Sequence, residues 1–119
     1  MSGQIKQTTT VNSGTTNVNL LTGLKQEFLS RPAAVKVYAV QDLVAASNLE
    51  ITLTLGNVVV GEDLVPNIPG ANLGPRTNED IVAGGVGMGG DRIQIRVRET
   101  TGGVGANGII RTLVDIVDL

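Results

Sequence analysis

The chain has 119 residues, with 9 basic and 11 acidic side chains and a formal net charge of −2. It contains no Cys, no His and no Trp. That excludes zinc sites built on thiolate or imidazole, disulfide scaffolds, and Ser-His-Asp or Cys-His catalysis. A single Phe and a single Tyr leave little of the aromatic surface on which single-stranded nucleic acids, and usually sugars, are held. The near balance of charge gives no phosphate-binding footprint at the level of the whole chain.

The length is that of one domain with one core. That core must be aliphatic: 16 Val, 12 Leu and 9 Ile dominate, and the β-branched majority favours strands. No apolar run approaches the ~20 residues of a membrane-spanning helix. The polar stretch from Met1 to Thr16 lacks the apolar centre of a secretion signal. A soluble protein without an evident export signal is expected.

Met1 to Asn19 is rich in Thr, Asn, Gly and Gln, with Ile5, Val11 and Val18 as its apolar residues. Alone it buries too little surface to offset its ordering entropy, so it reads as a flexible polar arm that is loose or ordered by a neighbouring subunit. Leu20 to Pro32 is interrupted by Gly23 and ended by Pro32, and reads as two short strands or an extended edge segment. Ala34–Val40 alternates, and Leu49–Leu55 places Leu49, Ile51, Leu53 and Leu55 on one face against Glu50, Thr52 and Thr54. Gly56-Asn57 followed by Val58-Val59-Val60 is a hairpin signal.

Gly61 to Asp80 holds three prolines and three glycines and reads as a long loop of the kind often used for function or contact. Ile81–Ala83 is a short strand, and Gly84–Gly90 a flexible glycine loop. Asp91–Arg98 alternates again, with Ile93, Ile95 and Val97 inward and Arg92, Gln94, Arg96 and Arg98 outward. Thr100–Gly108 is a glycine-rich connection. Ile109–Leu119 is apolar on both faces, so it is a buried strand or one that meets a partner, and its inward parity stays open. Seven or eight short strands with turns between them predict an all-β fold, an antiparallel sandwich over residues 20–119 behind an arm at 1–19.

Two G-x-G-x-x-G matches, at Gly85, Gly87, Gly90 and at Gly103, Gly105, Gly108, are not followed by the helix a dinucleotide site needs. They read as turn glycines. Glu62-Asp63, Glu79-Asp80 and Asp91 are acidic neighbours that match no calcium loop, so a bound cation stays open beside solvated loop charge. The stripe Arg92, Arg96, Arg98 suits a solvated face, acidic residues of another subunit, or phosphates.

The order of elements resembles that of small structural proteins of bacteriophage and other virus particles, including single jelly-roll-like capsid and capsid-associated proteins. The segment Asp91–Gly102, a GDR start leading into an alternating strand and a polar turn, carries most of the resemblance, which covers the last two thirds of the chain. It implies an eight-stranded jelly-roll-like sandwich, no catalysis and no cofactor. It also implies assembly of copies of itself into rings or shells, with other virion proteins as partners and the virion as location; no membrane partner is expected from the short apolar runs, and the scarce aromatics and balanced charge disfavour nucleic acid. The chain is short for a main shell protein, which points to a minor, vertex, decorating or small capsid subunit.

The expected contact residues are Ile5 and Val11 in the arm, Leu64, Val65, Ile68 and Leu73 in the long loop, Arg92, Arg96 and Arg98 on the basic stripe, and Leu113 in the last strand, with Ile109 and Val117 of the same parity. Two rivals remain. One is an extracellular or cell-surface filament built by donation of the N-terminal strand. The other is a monomeric ligand-binding module.

Overall fold

The computed structural model describes residues 3–11, 18–21, 24, 27–41, 49–68, 74–77, 79–99 and 108–119, with Val11, Val18, Asn19, Glu99 and Gly108 as backbone alone. Eight strands follow in chain order: β1 (Gly3–Val11), β2 (Val18–Asn19), β3 (Ala33–Gln41), β4 (Leu49–Leu55), β5 (Val58–Leu64), β6 (Ile81–Gly87), β7 (Ile93–Glu99) and β8 (Gly108–Asp118). They form two antiparallel sheets packed as a β-sandwich. One has the order β1-β8-β3-β6 and the other β2-β7-β4-β5, in which β2 is two residues long.

The pairings follow a simple rule. β1 pairs β8, β2 pairs β7, β3 pairs β6 and β4 pairs β5, while β3·β8 and β4·β7 join neighbouring pairs within each sheet. The chain is thus a long two-stranded ribbon, closed at the β4–β5 hairpin and rolled so that successive pairs fall in opposite sheets. The hairpin is the one the sequence predicts: Leu55 pairs Val58 across Gly56-Asn57. Gly56 has φ 59°, the positive value that a glycine-first hairpin turn requires.

The core is aliphatic and comes from alternate positions. Val35 and Val37 of β3 and Ile110, Val114 and Ile116 of β8 face Ile51 and Leu53 of β4 and Ile93, Ile95 and Val97 of β7. The even-numbered positions of β8 are therefore the inward ones. Branched side chains interdigitating across two sheets fill such a core without aromatic rings.

Four expectations are corrected. Residues 3–11 are not an arm but β1, paired in register along β8 from Gly3↔Ile116 to Val11↔Gly108. Its Thr-rich sequence carries little apolar signal, but the unpaired backbone of β8 supplies the ordering that the side chains do not. Leu20–Pro32 forms no strand among its described residues. It makes turns, with Leu24 N–H donating to Leu21 O and Glu27 N–H to Leu24 O, and one bridge from Phe28 to Arg92.

β5 continues through Gly61 to Leu64, with Asp63 at φ 52°. β6 continues through the expected glycine loop to Gly87. There glycine is a packing requirement: a Cβ on Gly85 would lie 3.1 Å from Val60 Cγ1, and one on Gly87 2.5 Å from Leu29 Cδ1. The span 100–107 lies outside the described residues.

Candidate functional site

The two outer faces of the sandwich differ in chemistry. On the β2-β7-β4-β5 sheet, β4 and β7 pair Glu50 with Arg98, Thr52 with Arg96 and Thr54 with Gln94. The expected basic stripe is largely neutralised within its own chain. Arg98 meets the Glu50 carboxylate at 2.7 and 3.0 Å and Asp63 at 3.3 Å. Its pKa is raised, first by the Glu50 hydrogen bond and then by the charge of Asp63. Arg92 Nε lies 2.6 Å from Glu27, and Arg96 Nε donates to Gln94 Oε1 at 3.1 Å. These partners sit as far as 65 positions away in sequence, so no local pattern announces them.

The outer face of the other sheet is apolar at one end. Val86 of β6, Ala34 of β3 and Val117 of β8 lie side by side in register. Val86 is 58% and Val117 51% exposed, and Met88 and Leu119 are exposed as well. Val58 and Val59 of β5 and Ile81 of β6 are further exposed apolar residues, on strands that end their sheets. Clustered apolar exposure of this kind marks contact surface more often than isolated residues do. The sequence signal was there for β5, because consecutive valines in a strand cannot all face inward.

The expected contact residues are spread over different environments. Ile5 and Leu64 are partly buried against the core, and Leu113 is only 5% exposed, so these three are spent on packing within the chain. Val65 and Ile68 are exposed. Val11 is described by its backbone pairing with Gly108. Leu73 lies outside the described residues. Those that are described lie on strands of both sheets and on the connection after β5.

The long connection is tied down by an acidic side chain. Asp80, itself buried, accepts from Arg76 Nε at 2.9 Å, from Arg76 backbone N–H at 2.7 Å and from Asn67 Nδ2 at 2.9 Å. The Arg76 hydrogen bond is the main reason its pKa falls from 3.8 to about 2. The Asp80 carbonyl takes Ala39 N–H at 3.0 Å, and Gln41 N–H donates to Asn67 O at 2.9 Å. Buried Gln41 adds a bond from Nε2 to Pro66 O at 3.0 Å and accepts Leu49 N–H at 3.1 Å. One amide thus joins β3, β4 and the connection.

The remaining acidic candidates have local partners. Glu79 pairs with Arg76 at 2.9 Å, Asp63 with Arg98, and Asp91 accepts Met88 N–H at 2.8 Å. Glu62 is exposed near Arg98. Among the described residues no three acidic side chains come together as a metal site. Comparison with known proteins finds no matching family model, no matching curated protein and no matching solved structure.

Proposed function

We propose that this sandwich is a jelly roll and that the protein is a non-enzymatic structural subunit of a virus particle, in a minor, vertex, decorating or small-capsid position, acting by association with copies of itself. The strand order carries the reading. An eight-stranded ribbon rolled into β1-β8-β3-β6 against β2-β7-β4-β5 is the connectivity expected of a double-sheet jelly roll with two Greek keys, the architecture of many viral capsid domains. The same architecture serves lectins and cupins, so fold by itself does not decide function.

Two features favour contacts between copies. The chain has 2% aromatic residues and no histidine, a poor inventory for sugar stacking or imidazole metal ligation. It also presents the row Val86–Ala34–Val117 on a sheet face, with exposed Val86 and Val117 on either side of half-buried Ala34. Strand donation is the weaker assembly mode, because β1 already occupies the edge of β8 in its own chain.

The test is solution mass by light scattering at two protein concentrations. A discrete multiple of 12.3 kDa, or a closed particle, is expected. A monomer at both concentrations overturns self-association. An open, concentration-dependent size distribution points to a filament instead.

A further inference from the structure

The two sheets have four edge strands, β1 and β6 in one and β2 and β5 in the other. Three of them carry features that keep a sheet edge from pairing with another chain. β2 is two residues long. β5 shifts register twice against β4 and holds Asp63 at φ 52°. β6 contains Gly84, Gly85 and Gly87 and shifts register between Val37 and Tyr38 of β3.

β1 differs from these. It is nine residues long, has no proline and keeps an unbroken register along β8. Its one charge is Lys6. Among the described residues its backbone bonds only with β8, so its other side presents a row of N–H and C=O groups. Gln4, Lys6, Thr8 and Thr10 are exposed, whereas Ile5, Gln7 and Thr9 are partly covered.

We propose that β1 is a twofold contact: it pairs antiparallel with β1 of a second copy and joins two four-stranded sheets into one. This deepens the self-association reading and rests on it. An antiparallel pair of identical strands is its own mate under a twofold axis, as an isologous contact requires. One register uses the whole strand. In it Gly3 meets the partner's Val11, Lys6 meets the partner's Thr8, and Gln7 at the centre meets the partner's Gln7. Odd positions then stand opposite odd ones, so the inward face of the sheet stays continuous across the contact. The two lysines lie on a diagonal, whereas a slip of two residues would set them directly opposite, which like charges disfavour. Main-chain hydrogen bonds supply the affinity in pairing of this kind, so a Thr-rich strand with few apolar side chains can serve.

Sedimentation-velocity dilution series of the full chain at low ionic strength test the contact, on wild type, T8K and K6E/T8K. Thr8 is exposed, and T8K sets an ammonium opposite the partner's Lys6, twice per contact by symmetry. The association midpoint should move to about tenfold higher concentration in T8K. K6E/T8K sets a carboxylate opposite that ammonium and should return the midpoint to the wild-type range. Arg111, the register partner of Thr8 within the chain, is the same in both variants.

A second readout is independent of charge. The chain has no Cys, so oxidised Q7C should form a disulfide-linked dimer, because directly opposed Cα atoms ~4.5–5.5 Å apart lie within disulfide reach. T10C, which meets the partner's Gln4 in this register, should not. Should T8K fail to fold by circular dichroism, the cross-linking pair decides. An unchanged midpoint in folded T8K, no rescue by K6E, or equal cross-linking of Q7C and T10C overturns this contact and leaves self-association standing. A wild-type monomer at every concentration overturns both.

Discussion

Thr112 carries a buried hydroxyl that no described residue engages. The residue is 2% exposed, and its Oγ1 has no hydrogen-bond partner among the described residues. Its register partner is Gln7, whose Nε2 donates to Leu20 O at 3.1 Å while its Oε1 is likewise unpartnered. A buried hydroxyl without a partner costs stability. T112V keeps the branched shape and removes the hydroxyl, so it should raise stability by about 1 kcal/mol. T112S keeps the hydroxyl, loses a methyl and should lower it by about 1 kcal/mol. Chemical denaturation of both variants checks this, and a clear loss in T112V would mean that the hydroxyl is satisfied after all.

Asp80 is the opposite case, a buried carboxylate with its bonds made. Its folded pKa of about 2 lies below the ordinary 3.8, so the ionised form favours the folded state. The stabilisation is complete above the ordinary value and is lost as pH falls through about 2. Because Arg76 is half-exposed, water screens the pair, and the contribution is about 1–2 kcal/mol. D80N should therefore lower stability at neutral pH and flatten its acid dependence between about pH 4 and pH 2. Urea titrations at several pH values measure both, and a D80N curve parallel to wild type across that window would reject the assignment.

Among the elements, the glycines of β6 and of the β4–β5 turn separate space from conformation. G87A sets a Cβ 2.5 Å from Leu29 Cδ1, a buried side chain, and should cost about 1–3 kcal/mol as overpacking. G56A meets two obstacles: a φ of +59° and the Asp91 carboxyl at 2.8 Å. It should cost about 1–3 kcal/mol. Gly3 in β1 has open space where a methyl would sit, with nothing within 4 Å, and G3A should change stability by less than about 0.5 kcal/mol. Thermal melts of the three variants give the ranking, and a G87A as harmless as G3A would show that Leu29 yields without cost.

For the molecule as a whole, the accessible surface is 5989 Å² and the radius of gyration 13.8 Å. These are close to the ~6,000 Å² and ~13.5 Å expected of a compact domain of this size. The sandwich thus closes around its own core, and association would be through surface that is already formed. A charge at either flank of the apolar row is the sharpest probe. V86K and V117K each place an ammonium on an exposed position outside the core. Both should leave the melting temperature nearly unchanged and shift the light-scattering mass toward 12.3 kDa. An unaltered oligomer in both variants would move the interface elsewhere.

The class of fold is legible in the residues alone, because alternation of side chains along a strand is a local property. Leu49–Leu55 and Ile93–Val97 show which residues face in, and Gly56-Asn57 marks the hairpin between β4 and β5. Even the inventory of excluded chemistry needs only the residue list.

Whatever depends on a neighbour is settled only when the chain folds. β1 is a strand because β8 offers it a backbone edge, and Val60 and Leu29 lie so near Gly85 and Gly87 of β6 that a Cβ at either glycine would have to displace them. Arg92 and the arginines of β7 look like a basic stripe until Glu27 reaches Arg92 and Glu50 and Asp63 reach Arg98 from remote parts of the chain. Pairing of β1 with β8 and placement of Lys6 beside Arg111 are likewise contacts between opposite ends of the sequence. Local periodicity carries no information about which distant segments meet, since that choice is made by burial and backbone pairing over the whole rolled ribbon.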